Sequence, residues 1–326
     1  MSHFPSNSQA ISLKQHPIIV LVSLLLGITV LGLAMTAIQQ QLQKYPIQDV
    51  AHSLAAIPIQ SLGIAIVLTG LNYLMLTGYD TLAVRFAQHP IPYRKTALVA
   101  AINYGISNTI GFALLSDSAI RYRFYSSWSF STKEIAQILV FCHLSFWLGL
   151  LTISGIIFLV EPLEIPNLLK LPFHSANIAG GLFLSIVFAY LVWNWLGNRS
   201  LQIGKWTVPH VPFQLALAQV AVTSLSWMLA TGVLYVLLPA TASMSYFSFF
   251  SIYLLAQFAS LLSTIPGGLG VFETVLLLLL SPPINSAALL GALLAYRGIH
   301  YFLPFITAVL LFGLYELRQR LSPSLK

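Results

Sequence analysis

TALVAAINYGISNTIGFALL, residues 96–115, is long enough to cross a bilayer, yet it carries Asn103, Gly105, Asn108 and Gly111 in its middle. A hydrocarbon core of roughly 30 Å takes about 20 apolar residues per helix. Whether this stretch crosses, or dips in and returns, sets the side on which everything after it lies. Basic residues near membrane segments accumulate on the cytoplasmic side. If residues 96–115 return, the N-terminus is cytoplasmic and residues 245–281 also return to their own side, then Lys14, Arg85, Arg94, Lys95, Arg121, Arg123, Lys133, Arg199, Lys205, Arg318, Arg320 and Lys326 lie inside. Only Lys44 and Lys170 lie outside, and Arg297 stays within the membrane region. A full crossing inverts the later part of the chain and leaves just Lys14, Arg85, Arg94, Lys95 and Lys170 inside, so the charge pattern favours the re-entrant dip.

The composition agrees with a membrane protein. The chain has 326 residues, 57% hydrophobic and 7% charged, where soluble domains carry about 25% charged residues. Apolar runs at 17–38, 58–77, 135–160, 176–196 and 212–238, with a last helical region between 285 and 315, read as spans. The run at 17–38 exceeds the apolar core of a signal peptide, about 7–15 residues, and is read as a retained first helix. The longest loops, near 39–57, 78–95 and 116–133, are too short to enclose a soluble catalytic domain of about 50 residues or more. The expected fold is an all-α integral membrane bundle of six to eight spans with two broken or re-entrant segments, forming one domain over residues 1–326. An inverted repeat of halves near 1–160 and 161–326 is left open, because it rests on topology and no internal sequence repeat supports it.

The second interrupted segment is STIPGGLGVFET, residues 263–274. Non-helical backbone at membrane depth is tolerated only where protein or a water-filled cavity satisfies it. Pro266, Gly267, Gly268 and Gly270 therefore mark a broken helix that faces protein or cavity. The helix resuming at Val271 presents free N–H groups, a ready anion site. With Gly270 as N-cap, Glu273 falls at the third helical position, where a carboxylate caps the backbone; an intramembrane carboxylate is also a functional candidate in its own right. The arm 271–280 spans about 15 Å, half a bilayer. Either it returns as a hairpin, or the chain crosses back as far as Arg297 and leaves 298–315 as the final span. In a single long last helix, Arg297 and His300 lie deep and can pair with Glu273.

A further cluster is ISNTIGFALLSDSAIRYRFY, residues 106–125. Asn108 offers amide donors inside the dip, and Arg121 and Arg123, interleaved with Tyr122 and Tyr125, suit a lipid phosphate, because guanidinium binds phosphate through two parallel hydrogen bonds. An ordinary basic loop with interfacial tyrosines is the plainer reading. Asp80 ends the second span near Arg85, where a surface ion pair is the plain alternative. His143 reads as a packed, hydrogen-bonded histidine, since no second metal ligand stands beside it at helical spacing. The single cysteine, Cys142, excludes an intrachain disulfide, and the chain has no HExxH, GxSxG or P-loop spacing. Neither enzymatic activity nor a cofactor or metal is expected. The formal charge of +7 suits anionic lipid, and no nucleic-acid motif accompanies it.

IPGGLGVFE at 265–273, with Tyr79-Asp80, the SN…G pattern at Ser107–Gly111 and RYRFY at Arg121–Tyr125, resembles the membrane region of the lysylphosphatidylglycerol synthase/flippase family, which includes the multiple peptide resistance factor and stand-alone membrane homologues. The likeness runs from about Thr69 to the C-terminus. It implies lipid translocation without the family's soluble aminoacyl-transferase domain, and it makes Asp80, Arg121 and Glu273 the membrane-embedded polar positions. The expectation is a phospholipid flippase of the bacterial inner membrane with both termini cytoplasmic, aminoacyl-phosphatidylglycerol being one candidate substrate. Arg121, with Arg123 beside it, is expected to receive the phosphate, while Asp80 or Glu273 pairs with a cationic headgroup. A non-transporting lipid-binding partner of a separate lipid synthase and an ion-coupled small-solute carrier stand as alternatives. Membrane phospholipids are the expected partners; a lipid synthase and a second copy of the chain are left open.

Overall fold

The computed structural model describes residues 47–110, 113–163, 176–197, 201–203, 206–208, 210–239, 244–263, 270–281 and 284–321. The expected first helix at 17–38 and the glycine turn at Pro266, Gly267 and Gly268 lie outside them. In chain order the helices are α1 (Ile47–Ala55), α2 (Ile59–Phe86), α3 (Tyr93–Ile110), α4 (Ala113–Ser127), α5 (Thr132–Val160), α6 (Ala176–Leu196), α7 (Phe213–Tyr235), α8 (Tyr246–Leu262), α9 (Val271–Leu280), α10 (Ser286–Tyr296) and α11 (Leu303–Leu321). A π-helical segment, Arg297–Phe302, joins the last two without a turn. A small antiparallel hairpin of β1 (Leu201–Ile203) and β2 (Trp206–Val208) lies between α6 and α7 in the chain and leaves the all-α class unchanged.

Among the described residues, five helical stretches are long and apolar enough to cross a membrane: Ile59–Phe86, Thr132–Val160, Ala176–Leu196, Phe213–Tyr235 and Ser286–Gln319. Large apolar side chains stand out from their outer faces, among them Val67, Val160, Ile178, Phe188, Trp195 and Leu310. Such a belt is at home in acyl chains. The protein is a multi-pass helical membrane protein.

Two expected loops prove to be partly helix. Residues 78–95 contain the last turns of α2, and residues 116–133 contain most of α4. Hydropathy misses both because their polar side chains are buried against protein rather than exposed to lipid. Asp80 accordingly lies inside α2, and Arg121 and Arg123 lie on α4 rather than in a loop.

The stretch at 96–115 folds as the expected dip. Asn103 meets Asp117, Ser107 meets Ser116, Tyr104 meets Arg121, and Lys95 sits over the Trp128 ring. The start of α3 meets the chain just past the end of α4 and the end of α3 meets the start of α4, so the two helices form an antiparallel hairpin whose ends return to one side. The second expected dip becomes α8 and α9, which pack through Tyr253 and Phe272 with ring centroids 5.3 Å apart. The alternative that breaks the chain at Gly298 is set aside, because α10, the π segment and α11 continue one another.

In lipid, helices associate through close packing and interhelical hydrogen bonds, since the tails are as apolar as the side chains. Gln219 of α7 is fully buried and donates to Ser145 Oγ of α5 at 2.7 Å while accepting from Tyr190 of α6 at 2.8 Å. Ser226 donates to Asn72 of α2 at 2.6 Å. Ser131 and Glu134 form a reciprocal capping box that starts α5. The hairpin tip is seated on α11 at Gly105, where an added Cβ would stand 2.6 Å from Ala308 Cβ and 2.8 Å from the Pro304 carbonyl. Gly105→Val should force the two helices apart at a cost of about 1–3 kcal/mol, lowering the thermal midpoint of the detergent-purified protein; an unchanged midpoint would show that the hairpin is not held there.

Candidate functional site

Helical spacing builds the first half of the site. Asp117, Arg121 and Tyr125 recur every fourth residue on α4 and share one face. That face meets Asp80 of α2, Asn103 and Tyr104 of α3, and Cys142 and His143 of α5. Arg121 Nε and Nη2 each donate at 2.9 Å to the two oxygens of Asp80. Nη2 also donates to the Tyr104 hydroxyl at 3.0 Å, and Nη1 to Asp117 Oδ1. Four of the guanidinium's five donors are thus engaged. Tyr125 adds a hydrogen bond to Asp80 Oδ1 at 2.9 Å, and Asn103 donates to Asp117 Oδ1. Asp80 and Arg121 are both 0% exposed.

This arrangement revises the expected roles. Asp80 pairs with Arg121 across 41 residues of sequence, not with its neighbour Arg85, and the pair is buried rather than superficial. Arg121 presents its donors to Asp80, Asp117 and Tyr104. Arg123 points elsewhere, to Glu316 at 2.9 Å and Gln319 at 3.3 Å on α11, where it clamps the periphery. His143 is hydrogen-bonded as expected, with Nδ1 2.8 Å from the Leu139 carbonyl.

The second half forms where the chain resumes helix after the glycine stretch. Gly270 has φ 82°, a left-handed conformation that disfavours any side chain. That turn brings its N–H to Glu273 Oε2 at 3.0 Å, the capping contact that the spacing predicts. The other carboxylate oxygen accepts from Arg297 Nε at 2.8 Å and Nη2 at 2.5 Å. Arg297 lies in the π segment, a form often found at functional positions, and its guanidinium stacks over Tyr301 at 4.9 Å. Glu273 and Arg297 retain 11% and 14% side-chain exposure, in contrast to the sealed Asp80–Arg121 pair.

Ring contacts and a long hydrogen bond link the hairpin and α2 to the π segment. Asn108 is exposed near the end of α3, and the Tyr73 hydroxyl is buried with no hydrogen-bond partner among the described residues. The Tyr73 ring stands 6.4 Å from His300, which stacks on Tyr296 at 5.1 Å. Thr109 Oγ1 reaches the Tyr301 carbonyl at 3.5 Å. Thus the tip of one interrupted element and the restart of the other both lean on the π segment. Sequence reasoning passed over Asp117 and Tyr104. Asp117 stands four residues before Arg121, a signal visible only once residues 113–127 are read as helix. No cluster of three or more metal-ligating side chains occurs among the described residues.

Residues 20–308 match the family described as the lysylphosphatidylglycerol synthase TM region. An uncharacterised protein of Synechocystis, slr0712, is 48% identical over 294 residues, covering 90% of this chain and 91% of its own length. The Escherichia coli inner membrane protein YbhN is 30% identical over 254 residues, 77% of this chain and 79% of that protein. A phosphatidylglycerol lysyltransferase of Staphylococcus haemolyticus is 25% identical over 246 residues, covering 74% of this chain but 28% of that protein. Two ion pairs and an antiparallel helical hairpin therefore stand on a helical scaffold that is matched over nearly its whole length, and the chain belongs to the lysylphosphatidylglycerol synthase transmembrane-region family.

Proposed function

We propose that the protein moves phospholipid headgroups between the leaflets of a bacterial inner membrane, with both termini cytoplasmic and no chemical step on the lipid. The observation that carries this reading is the Glu273–Arg297 pair, set at a helix restart and packed on Tyr301, whose carbonyl Thr109 of the hairpin reaches. A charged headgroup cannot cross hydrocarbon without partners for its desolvated groups. An ion pair that retains some exposure supplies both signs. The lipid phosphate takes Arg297 in exchange for Glu273, and the released carboxylate takes a cationic headgroup such as an aminoacyl amine. Asp80 and Arg121 hold α2 and the hairpin together while this exchange occurs. The name of the staphylococcal relatives supports phosphatidylglycerol or its aminoacyl form as the lipid, because the part they share with this chain is a membrane region.

The test is transbilayer movement of fluorescently tailed phosphatidylglycerol in proteoliposomes, read by a quencher that reaches only the outer leaflet. The wild-type protein should accelerate movement, and Arg297→Ala should slow it at least tenfold, the equivalent of one charge-assisted hydrogen bond of about 1.5 kcal/mol. Equal rates in the wild-type protein and the variant would remove the mechanism. Lipid that co-purifies but never moves would point to a lipid-presenting partner of a separate synthase.

A further inference from the structure

The Asp80–Arg121 cluster does not balance its charges. Two carboxylates, Asp80 and Asp117, share one guanidinium. With both ionised, the buried group carries one net negative charge, which a low-dielectric interior strongly disfavours. The surplus lies on Asp117. Its Oδ1 accepts from Arg121 and Asn103, whereas its Oδ2 is buried and has no hydrogen-bond partner among the described residues. His143 Nε2 stands 3.8 Å from Oδ2.

The imidazole is preset for a proton. The Leu139 carbonyl can only accept, so His143 Nδ1 carries the hydrogen of that 2.8 Å bond. In the neutral ring this leaves a lone pair on Nε2, aimed at a carboxylate oxygen. Two acceptors 3.8 Å apart, one of them buried, make an incomplete hydrogen bond, and one proton favours its formation. His143 keeps 35% side-chain exposure, against 9% for Asp117, so the proton reaches Asp117 through the imidazole. The site lies about 16 Å along α5, near the middle of the helix.

We propose that Asp117 and His143 form a proton-binding site, and that its occupancy governs lipid movement. A proton taken from water adds to Nε2, Nε2–H then donates to Asp117 Oδ2, and the cluster passes from one net negative charge to none. The other groups facing the pair are Arg121 and Tyr125 on α4, Asp80 on α2, Asn103 and Tyr104 on α3, and Cys142 on α5; Arg121 is committed to Asp80. Asp117 ties α4 to α3 through Asn103, so a proton that satisfies Asp117 from α5 relaxes the hairpin whose tip reaches the π segment. The governing role rests on the flippase reading; the proton site itself does not.

Two measurements separate these claims. Infrared difference spectra of the purified wild-type protein between about pH 5 and pH 8 should show a pH-dependent carboxyl or imidazole signal that Asp117→Asn removes and His143→Gln removes or shifts. A spectrum that neither variant alters overturns the site. In proteoliposomes held at equal pH on both sides, wild-type movement should rise at least about tenfold from the alkaline to the acid end of that range, and His143→Gln should flatten the profile. A flat wild-type profile with brisk movement overturns the governing role while leaving the flippase reading in place. No movement at any pH overturns the flippase reading and the governing role together, and the infrared result then decides the proton site alone.

Discussion

Arg121→Ala is expected to be among the most damaging single substitutions in the described residues, costing about 3–5 kcal/mol. The loss does not come from the hydrogen bonds alone. Arg121 is the cation that two buried carboxylates share, and its removal leaves Asp80 and Asp117 facing each other without compensation. The thermal midpoint in detergent should fall by about 10 °C, or the protein should fail to accumulate. A second variant keeps the claim testable in that event. Asp80→Asn combined with Arg121→Gln removes one charge of each sign, retains hydrogen-bonding side chains, and should be more stable than Arg121→Ala by about 2 kcal/mol or more. A double variant no better than the single one would show that packing volume, not charge balance, governs the cluster.

Glu273→Ala should produce the next largest loss through two separable effects. It strands Arg297, which lies mostly buried in the π segment, at a cost of about 3–5 kcal/mol if the helix cannot relax. It also removes the acceptor for the Gly270 N–H, worth about 1 kcal/mol. Glu273→Gln divides them, because the amide oxygen still accepts a hydrogen bond while the charge is gone. Thermal unfolding should place Glu273→Gln between wild type and Glu273→Ala. Movement of a lipid with a cationic headgroup should fall in both variants, since a neutral side chain cannot pair with the amine once the phosphate holds the guanidinium. If Glu273→Gln moves lipid at the wild-type rate, the carboxylate acts as a cap only.

The Arg123 contacts illustrate a limit of reading charge by motif. In sequence, Arg121 and Arg123 look like one phosphate-binding pair. In the fold, the two residues of separation turn them to different faces of α4, one into a sealed cluster and the other to Glu316 and Gln319. Helical residues two apart do not face the same way. Had residues 116–133 been recognised as helix, the division would have been legible.

Much of the architecture was written in composition. Long apolar runs marked the spans at 58–77, 135–160, 176–196 and 212–238, because a lipid-facing helix must be apolar around most of its surface. The asymmetry of Lys and Arg indicated that residues 96–115 return, and the spacing from Gly270 to Glu273 located a helix start. These are local or one-dimensional properties, and a sequence carries them openly.

Only the tertiary structure decided which charges meet. Asp80 and Arg121 lie 41 residues apart, and Glu273 and Arg297 lie 24 apart. Hydropathy treats each as a penalty and says nothing of its partner. It misplaces the end of α2 and most of α4 for the same reason, since a polar residue buried against protein at membrane depth looks, in sequence, like a polar residue in a loop. The unsatisfied oxygen of Asp117 and the imidazole opposite it belong to neither helix alone. They exist as a pair because three helices converge there, and a contact of that kind has no trace in the order of the residues.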